Sequence, residues 1–128
     1  MTPKEQDLPP DPLELPTHLA DRRENLFGGK GVVHVWDLLK NAGTAPFSAV
    51  LFCQLAPGGS VGKHAQQRDP ELVMAMDGMG TATVDGKDIP MPPLTVVSVP
   101  FGSTLALRNN SKEDPFLYVI IKAELPAR

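Results

Sequence analysis

The sequence has few of the residues on which several classes of protein depend. It contains one cysteine, one tryptophan and one tyrosine, and its apolar runs are far shorter than the roughly 20 residues of a membrane helix. A single cysteine excludes an internal disulfide and fits a reducing compartment. The few aromatic residues, and the lack of any basic patch, argue against a nucleic-acid partner. We therefore expect neither nucleic acid nor membrane as a partner.

The N-terminus lacks the pattern of an export signal. Residues 1–16 carry five prolines among acidic residues, and no apolar core follows a basic start. We expect an extended proline-rich arm here and a cytoplasmic location. A short helix capped by Thr17 is predicted over 17–26. The chain then divides into 1–26, arm and helix; 27–125, a β-barrel; and 126–128, a tail.

What the sequence does contain is a series of short strand patterns. With 128 residues, 41% hydrophobic and 21% charged, it fits one globular domain. Glycine and proline turns separate the patterns, and Asp85-Gly86 is a strong hairpin signal. Strands are predicted over 31–38, 47–56, 64–67, 71–77, 80–84, 87–89, 94–99, 103–108 and 116–123. Their number and spacing predict an all-β antiparallel sandwich or barrel.

The stretch 57–78 carries the candidate site. Alternate residues of a strand face the same way, so His64 and Gln66 are expected to point together into the barrel. A polar turn closed by Pro70 leads to Glu71 on the next predicted strand, which we expect to pair with the first. We predict that the three side chains of His64, Gln66 and Glu71 meet at one point.

Two further residues have a chemical and a structural interpretation. His34 shares a strand face with Val32 and Trp36, so a half-buried strand residue is preferred to a pocket residue, and His34 is kept as a reserve candidate. Cys53 lies in the apolar run AVLFC. We predict a small buried hydrophobe there, without a chemical role.

These spacings resemble the two motifs of the cupin superfamily, small jelly-roll β-barrels of the conserved-barrel type. The first motif is matched by Gly58, His64, Glu71 and Gly78, with Gln66 in the place of a second histidine. The second is matched by Pro100, Gly102 and Asn109, with Leu105 where a histidine is expected and Leu94 where a glycine is. The resemblance implies a cupin β-barrel, a double-stranded β-helix, and the matched glycines, proline and asparagine act as turn residues.

In cupins, two histidines, a glutamate and a third histidine usually bind one divalent metal ion. Here only His64 and Glu71 keep those types, so the resemblance implies either a weak Zn, Ni, Mn or Fe site of His64, Gln66 and Glu71 or a barrel without metal. Leu105 makes one side of the pocket apolar. We expect it to be joined by Val73, Ala75, Leu107 and either Val50 or Phe52.

The resulting prediction is a cupin that binds a small organic ligand in its pocket through His64, Gln66, Glu71 and Leu105, with metal weak or absent. One alternative is a metal-dependent isomerase, cyclase, lyase or dioxygenase in which Glu71 or His64 moves a proton. Another is a non-catalytic barrel that acts by dimerising, with the arm and the methionine-bearing strands as its interface. The resemblance implies a homodimer, because cupins are frequently dimers. Lys63 and Arg68 flank the site and could steer an anionic ligand.

Overall fold

The structure, a computed structural model, describes residues 15–40, 42–66 and 68–125. Two 3₁₀ turns, Thr17–Leu19 and Leu26–Gly28, accompany ten strands. The strands are β1 (Asp21–Glu24), β2 (Val32–Asp37), β3 (Phe47–Leu55), β4 (Ser60–Ala65), β5 (Glu71–Asp77), β6 (Gly80–Val84), β7 (Lys87–Met91), β8 (Val96–Val99), β9 (Thr104–Asn109) and β10 (Phe116–Ala123).

The strands form two antiparallel sheets that pack face to face. One sheet has six strands in the order β1-β2-β3-β10-β5-β8, and the other has four in the order β4-β9-β6-β7. The core lies between them, and its largest fully buried side chains include Tyr118, Phe116, Leu55 and Met91. This two-layer arrangement confirms the predicted all-β jelly-roll fold.

Side chains alternate between the two faces of the sheet, as the pleat of a strand requires. On β3, Cys53 and Leu55 are buried in the core at 2% and 0% exposure, whereas Phe52 and Gln54 lie on the outer face and are half-buried. The inner face of β3 therefore belongs to the core, and its outer face is partly covered.

Several predicted strands have the predicted bounds. Strands β5, β6 and β10 match 71–77, 80–84 and 116–123, and Asp85 and Gly86 both have positive φ, 50° and 81°, in the turn between β6 and β7. Strand β7 continues through Pro90 to Met91 instead of ending at 89. Proline is tolerated there because β7 is the edge of its sheet. Strand β8 begins at Val96 rather than at Leu94.

The predicted helix over 17–26 is wrong. After the single 3₁₀ turn, β1 (Asp21–Glu24) pairs with β2, and Arg23 stands opposite Val33. The free edge of β2 offers backbone partners that outweigh the weak local preference of a ten-residue segment for a helix. The segment thus belongs to the six-stranded sheet.

In the described part of the chain, no helix is long and apolar enough to cross a membrane.

The pairing predicted for the central stretch is also wrong. Strand β4, which begins at Ser60, pairs with β9, while β5 pairs with β10 and β8 in the other sheet. The turn between β4 and β5 therefore crosses from one layer to the other. Three predicted features lie outside the described residues: the arm apart from Leu15 and Pro16, residue 67 and the tail over 126–128.

The motif residues outside the site serve the turns. Gly78 has a φ of 95°, and a Cβ there would lie 2.5 Å from the Pro115 carbonyl oxygen. Leu94, in the place of the motif glycine, keeps a positive φ of 70°. The amide of Asn109 donates to the carbonyls of Leu55, Ala56 and Asp114, which ties two corners of the barrel together.

Candidate functional site

A cavity of about 100 Å³ opens between the sheets, at the end where β5 begins and β10 finishes. Most of its wall is apolar, and it also carries two cations, Arg23 and Lys122, one carboxyl group, Glu71, and one imidazole, His64. The other lining residues are Leu26, Phe27, Val33, Val35, Leu51, Cys53, Val61, Leu105, Leu107, Tyr118 and Ile120. An apolar cavity with a few polar groups is the usual form of a small-molecule site.

Glu71 is the buried acid of this cavity. Its residue is 4% exposed, one carboxylate oxygen accepts a hydrogen bond of 3.0 Å from the Gln66 amide, and the other lies 3.9 Å from Lys122 Nζ. Burial raises the pKa of Glu71, and the nearby Lys122 ammonium and the Gln66 hydrogen bond oppose that rise. Lys122 stands directly opposite Glu71 on β10.

His64 reaches the cavity because of a bulge in β4. Val61 pairs with Leu107 and His64 with Leu105, so three steps along β4 match two along β9. Such an extra residue redirects a side chain, and here both Val61 and His64 point inward. Nδ1 of His64 donates to the Gly62 carbonyl at 2.9 Å, which leaves Nε2 as the free nitrogen. Burial lowers the pKa of His64.

The structure brings together three of the four predicted ligand-binding residues. His64, Glu71 and Leu105 line the same cavity. Gln66 is 5% exposed and points inward, but it stands behind Glu71 and lines only a shallower groove outside the cavity.

Arg23 and Lys122 were missed as site residues. Arg23 enters the site because the segment predicted as a helix is a strand. Its Nε donates a hydrogen bond of 2.8 Å to the Asp21 carboxylate, and its side chain lines the cavity. Lys122 lies near the end of a strand whose alternation places it on the inner face with Ile120. In the sequence, the one sign that Lys122 belongs to the site is a charged residue on the inward-facing side of an otherwise apolar strand end.

The apolar wall differs in part from the prediction. Leu105 and Leu107 line the cavity, whereas Val73 and Ala75 belong to the core beneath it. The prediction that Val50 or Phe52 lines the cavity was wrong, because on β3 it is Leu51 and Cys53 that face the cavity.

His34 does not reach the cavity. It lies on the outer face of the six-stranded sheet, where its ring is 6.2 Å from that of Trp36. On β2 it is Val33 and Val35 that line the cavity wall.

Cys53 is buried, as predicted, and it lies on the cavity wall. Burial raises the pKa of the Cys53 thiol to about 12, and the neighbouring Tyr118 hydroxyl opposes that rise. Burial likewise raises the pKa of Tyr118. Both groups therefore stay neutral at physiological pH.

The residues present do not fit the metal centre that the resemblance implies. Within 15–40, 42–66 and 68–125, no three His, Cys, Asp or Glu side chains are grouped so that they could hold a metal ion. Gln66 turns an N–H group, not its oxygen, toward Glu71, and the Lys122 ammonium approaches the same carboxylate. Leu105 offers no ligand atom. These contacts suit a hydrogen-bonded carboxylate better than a cation.

A shallower groove lies outside the cavity. Phe27, His64 and Lys122 line both spaces, and Ala65, Gln66, Arg68 and Asp69 complete the groove. Arg68 is 81% exposed at its side chain and pairs with Asp69 and Glu124. Lys63 is exposed and lines neither space.

Comparison of the sequence with known proteins identifies relatives of this chain. A family model described as "Cupin domain" matches residues 51–122. The oxalate-binding protein of Thermotoga maritima is 34% identical over 104 residues, which cover 79% of this chain and 85% of that protein.

Solved structures agree with the sequence match. The crystal structure of a predicted oxalate decarboxylase from Thermotoga maritima superposes with a TM-score of 0.77 at 27% identity, over 83% of this chain and 92% of that one. A Cupin 2 conserved barrel domain protein from Salinispora arenicola superposes with a TM-score of 0.65 at 24% identity, over 89% of each chain. The second likeness concerns the fold alone.

Proposed function

The chain belongs to the cupin family, and we propose that its cavity binds a small organic carboxylate without requiring a metal ion. The observation that carries this proposal is the pair of cations, Arg23 and Lys122, on the wall of a small and otherwise largely apolar cavity. A cation beside a partly dehydrated space favours an anion there, because charge attraction is weakly screened away from bulk water.

The charges around the cavity balance while Glu71 is ionised and leave one positive charge in excess when Glu71 is protonated. Arg23 and Lys122 carry two positive charges, against the Glu71 carboxylate and the Asp21 carboxylate that accepts from Arg23 Nε at 2.8 Å. The Lys122 side chain keeps 38% exposure and sits 3.9 Å from Glu71, so it is not fully committed to that carboxylate. A ligand carboxylate can thus accept hydrogen bonds from both cations, and from His64 when its Nε2 is protonated.

The size of the cavity limits the ligand. A volume of about 100 Å³ has room for several water molecules, or for a ligand of roughly half a dozen non-hydrogen atoms. The name of the oxalate-binding relative supports the same class, because oxalate is a two-carbon dicarboxylate of that size. We therefore propose oxalate and similarly short carboxylates as the ligands.

The binding should depend on pH in a definite direction. Burial raises the pKa of Glu71 and lowers that of His64. As the pH falls, protonation of Glu71 removes a negative charge from the cavity and protonation of His64 adds a positive one, and both changes favour an anion. We expect affinity to rise as the pH is lowered through the raised pKa of Glu71 and the lowered pKa of His64, with uptake of protons on binding.

Isothermal titration of untagged, chelator-treated protein with oxalate tests the proposal. Lys122→Met should lower affinity roughly 10- to 100-fold, because a hydrogen bond to a charged group contributes about 1.5–3 kcal/mol. Lys63→Met is the matched control, since Lys63 is an exposed lysine that lines neither space. It should leave affinity unchanged. Absence of binding, or equal losses in both variants, would refute the proposal.

A metal-dependent enzyme is the alternative within the same cavity. Elemental analysis of the untagged protein and of His64→Ala separates the two. Stoichiometric metal that is lost in the variant would contradict metal-free binding and would favour the enzyme.

We also propose that a second copy of the chain covers the outer face of the six-stranded sheet. An apolar row crosses five strands there, because Trp36 pairs with Phe52, Phe52 with Val119, Val119 with Met74 and Met74 with Val96. The end of this row at β8 is exposed to solvent, since Val96 is 52% exposed and the neighbouring Leu72 is 43% exposed. A flat apolar face can match itself across a two-fold axis, which gives a homodimer.

Light scattering of Leu72→Glu tests this assembly. The glutamate should convert a dimer to a monomer, because the charge would be buried between two copies. Leu94→Glu is the control, since Leu94 is 76% exposed in a turn and lies outside the row. A monomeric mass for the unmodified protein at working concentration would refute the dimer.

A further inference from the structure

The turn Leu26–Gly28 places an aromatic side chain over the cavity. The Phe27 ring stacks on the His64 ring, with centroids 4.0 Å apart and planes 12° from parallel. Phe27, His64 and Lys122 are the side chains shared by the cavity and the outer groove. They therefore lie between the cavity and the more open groove.

The backbone beneath Phe27 is fixed. The Lys30 amide donates to the Ser60 carbonyl at 3.1 Å, and the Ser60 amide donates back at 2.8 Å. A Cβ on Gly62 would collide with the Phe27 carbonyl, so the turn lies directly against β4. The chain before the turn is tied to β2 through β1. Because both sides are anchored, motion at this point is confined largely to side chains.

Phe27 is held in an unusual conformation. Its φ of 54° and ψ of 33° lie in the left-handed region, which is rare and strained for a bulky residue. Its side chain is nevertheless poorly buried, with the residue 56% exposed. An ordinary core contact would not explain a strained aromatic residue that remains half in solvent. A movable cover over the cavity would explain it, since exposed side chains change rotamer within nanoseconds.

We propose that Phe27 is the gate of the cavity and limits the size of the carboxylate that the site admits. With the Phe27 ring on His64, the cavity and the groove are separate spaces. When the ring turns outward, they merge along Lys122, and a ligand can pass or extend into the groove. The size limit rests on the proposed carboxylate binding, whereas the gate itself does not.

Cys53 supplies a test of the gate that needs no ligand. It is the only cysteine in the sequence and is 2% exposed on the cavity wall. The probe is methyl methanethiosulfonate, a small uncharged reagent that reacts with the thiolate, so all variants are compared at the same alkaline pH, and the readout is the rate of mass increase. Phe27→Ala should label at least about tenfold faster than the unmodified protein. Phe27→Tyr, which keeps the ring, and Leu94→Ala, which removes a remote exposed side chain, should label at the unmodified rate.

Denaturant unfolding of each variant separates gating from general loosening. If Phe27→Ala labels no faster, or only as much faster as its loss of stability accounts for, the gate is refuted. Titration with oxalate, succinate and phthalate then tests the size limit: Phe27→Ala should gain affinity for the two larger ligands relative to oxalate. Failure of all three ligands to bind the unmodified protein would refute the proposed function, while the labelling rates would still decide the gate.

Discussion

Strands β5 and β10 run side by side through the six-stranded sheet, and their two ends differ in almost every respect. At the closed end, Phe116 is fully buried and its ring occupies the space above Gly80, where a Cβ would collide with it. At the open end, roughly 20 Å away along the strands, Glu71 faces Lys122 beside a cavity.

The difference separates stability from binding. The closed end packs apolar side chains tightly and satisfies its polar groups through Asn109. The open end buries a carboxylate, leaves cations beside a space and keeps a strained aromatic residue over it. Each of these features reduces stability or adds nothing to it, so their presence together supports the proposed ligand site.

The largest expected effect is at the closed end. Phe116→Ala should lower the free energy of unfolding by about 3–5 kcal/mol, because it removes a fully buried ring from a packed core. Urea denaturation measures the loss. Lys122→Met at the open end should cost no more than about 1 kcal/mol, because the half-exposed Lys122 ammonium is only a weak partner of Glu71 at 3.9 Å, while the variant weakens carboxylate binding. If Lys122→Met lowered the free energy of unfolding more than Phe116→Ala, the distinction between the two ends would be wrong.

Removal of the Asn109 amide should come next. Asn109→Ala leaves the carbonyls of Leu55, Ala56 and Asp114 without their donor, and should cost about 1–3 kcal/mol by denaturant unfolding. Asn109→Asp should be at least as damaging, because it puts an acceptor where a donor is needed. A stable Asn109→Asp protein would show that these hydrogen bonds matter little.

Glu71→Gln should sharpen the contrast by stabilising the open end. The pKa of Glu71 is raised above its unfolded value of 4.5, so the folded protein binds more protons than the unfolded chain. Stability then falls as the pH rises from that value through the folded pKa. Above this window the variant should melt a few °C higher than the unmodified protein, as measured by calorimetry at about pH 8. A lower melting temperature would show that the charge itself stabilises the site.

The smallest effect is expected for His64→Gln. The pKa of His64 is lowered below 6.5 in the folded protein, so the neutral ring is favoured and stability is lost as the pH falls through 6.5 and then the folded pKa. The variant should lose this slope. Thermal melts in the Glu71→Gln background isolate it from the opposite slope of Glu71. An unchanged slope would show that His64 does not titrate in this way.

Local patterns in the sequence predicted most of the strands. Strand β10 and the hairpin of β6 and β7 were identified because alternation, β-branched residues and Asp85-Gly86 act within a few residues. His64, Glu71 and Leu105 were placed through motif spacing, and the structure brings all three to one cavity.

The same local patterns could not predict the pairing. Strand β4 was expected to pair with β5, yet it joins the other sheet through β9, some 40 residues further along the chain. The segment around Arg23 was predicted to be a helix because its partner, the edge of β2, cannot be read from its own ten residues.

The sequence by itself therefore determined the class of fold, the turns and the loss of two of the four cupin ligands, since each depends on residue type at a given spacing. Only the tertiary structure decided which charged side chains stand on the cavity wall. Arg23 and Lys122 come from opposite ends of the chain, and Phe27 reaches His64 through a turn held against β4. Contacts between distant segments form when the two sheets pack, and no short stretch of sequence contains them.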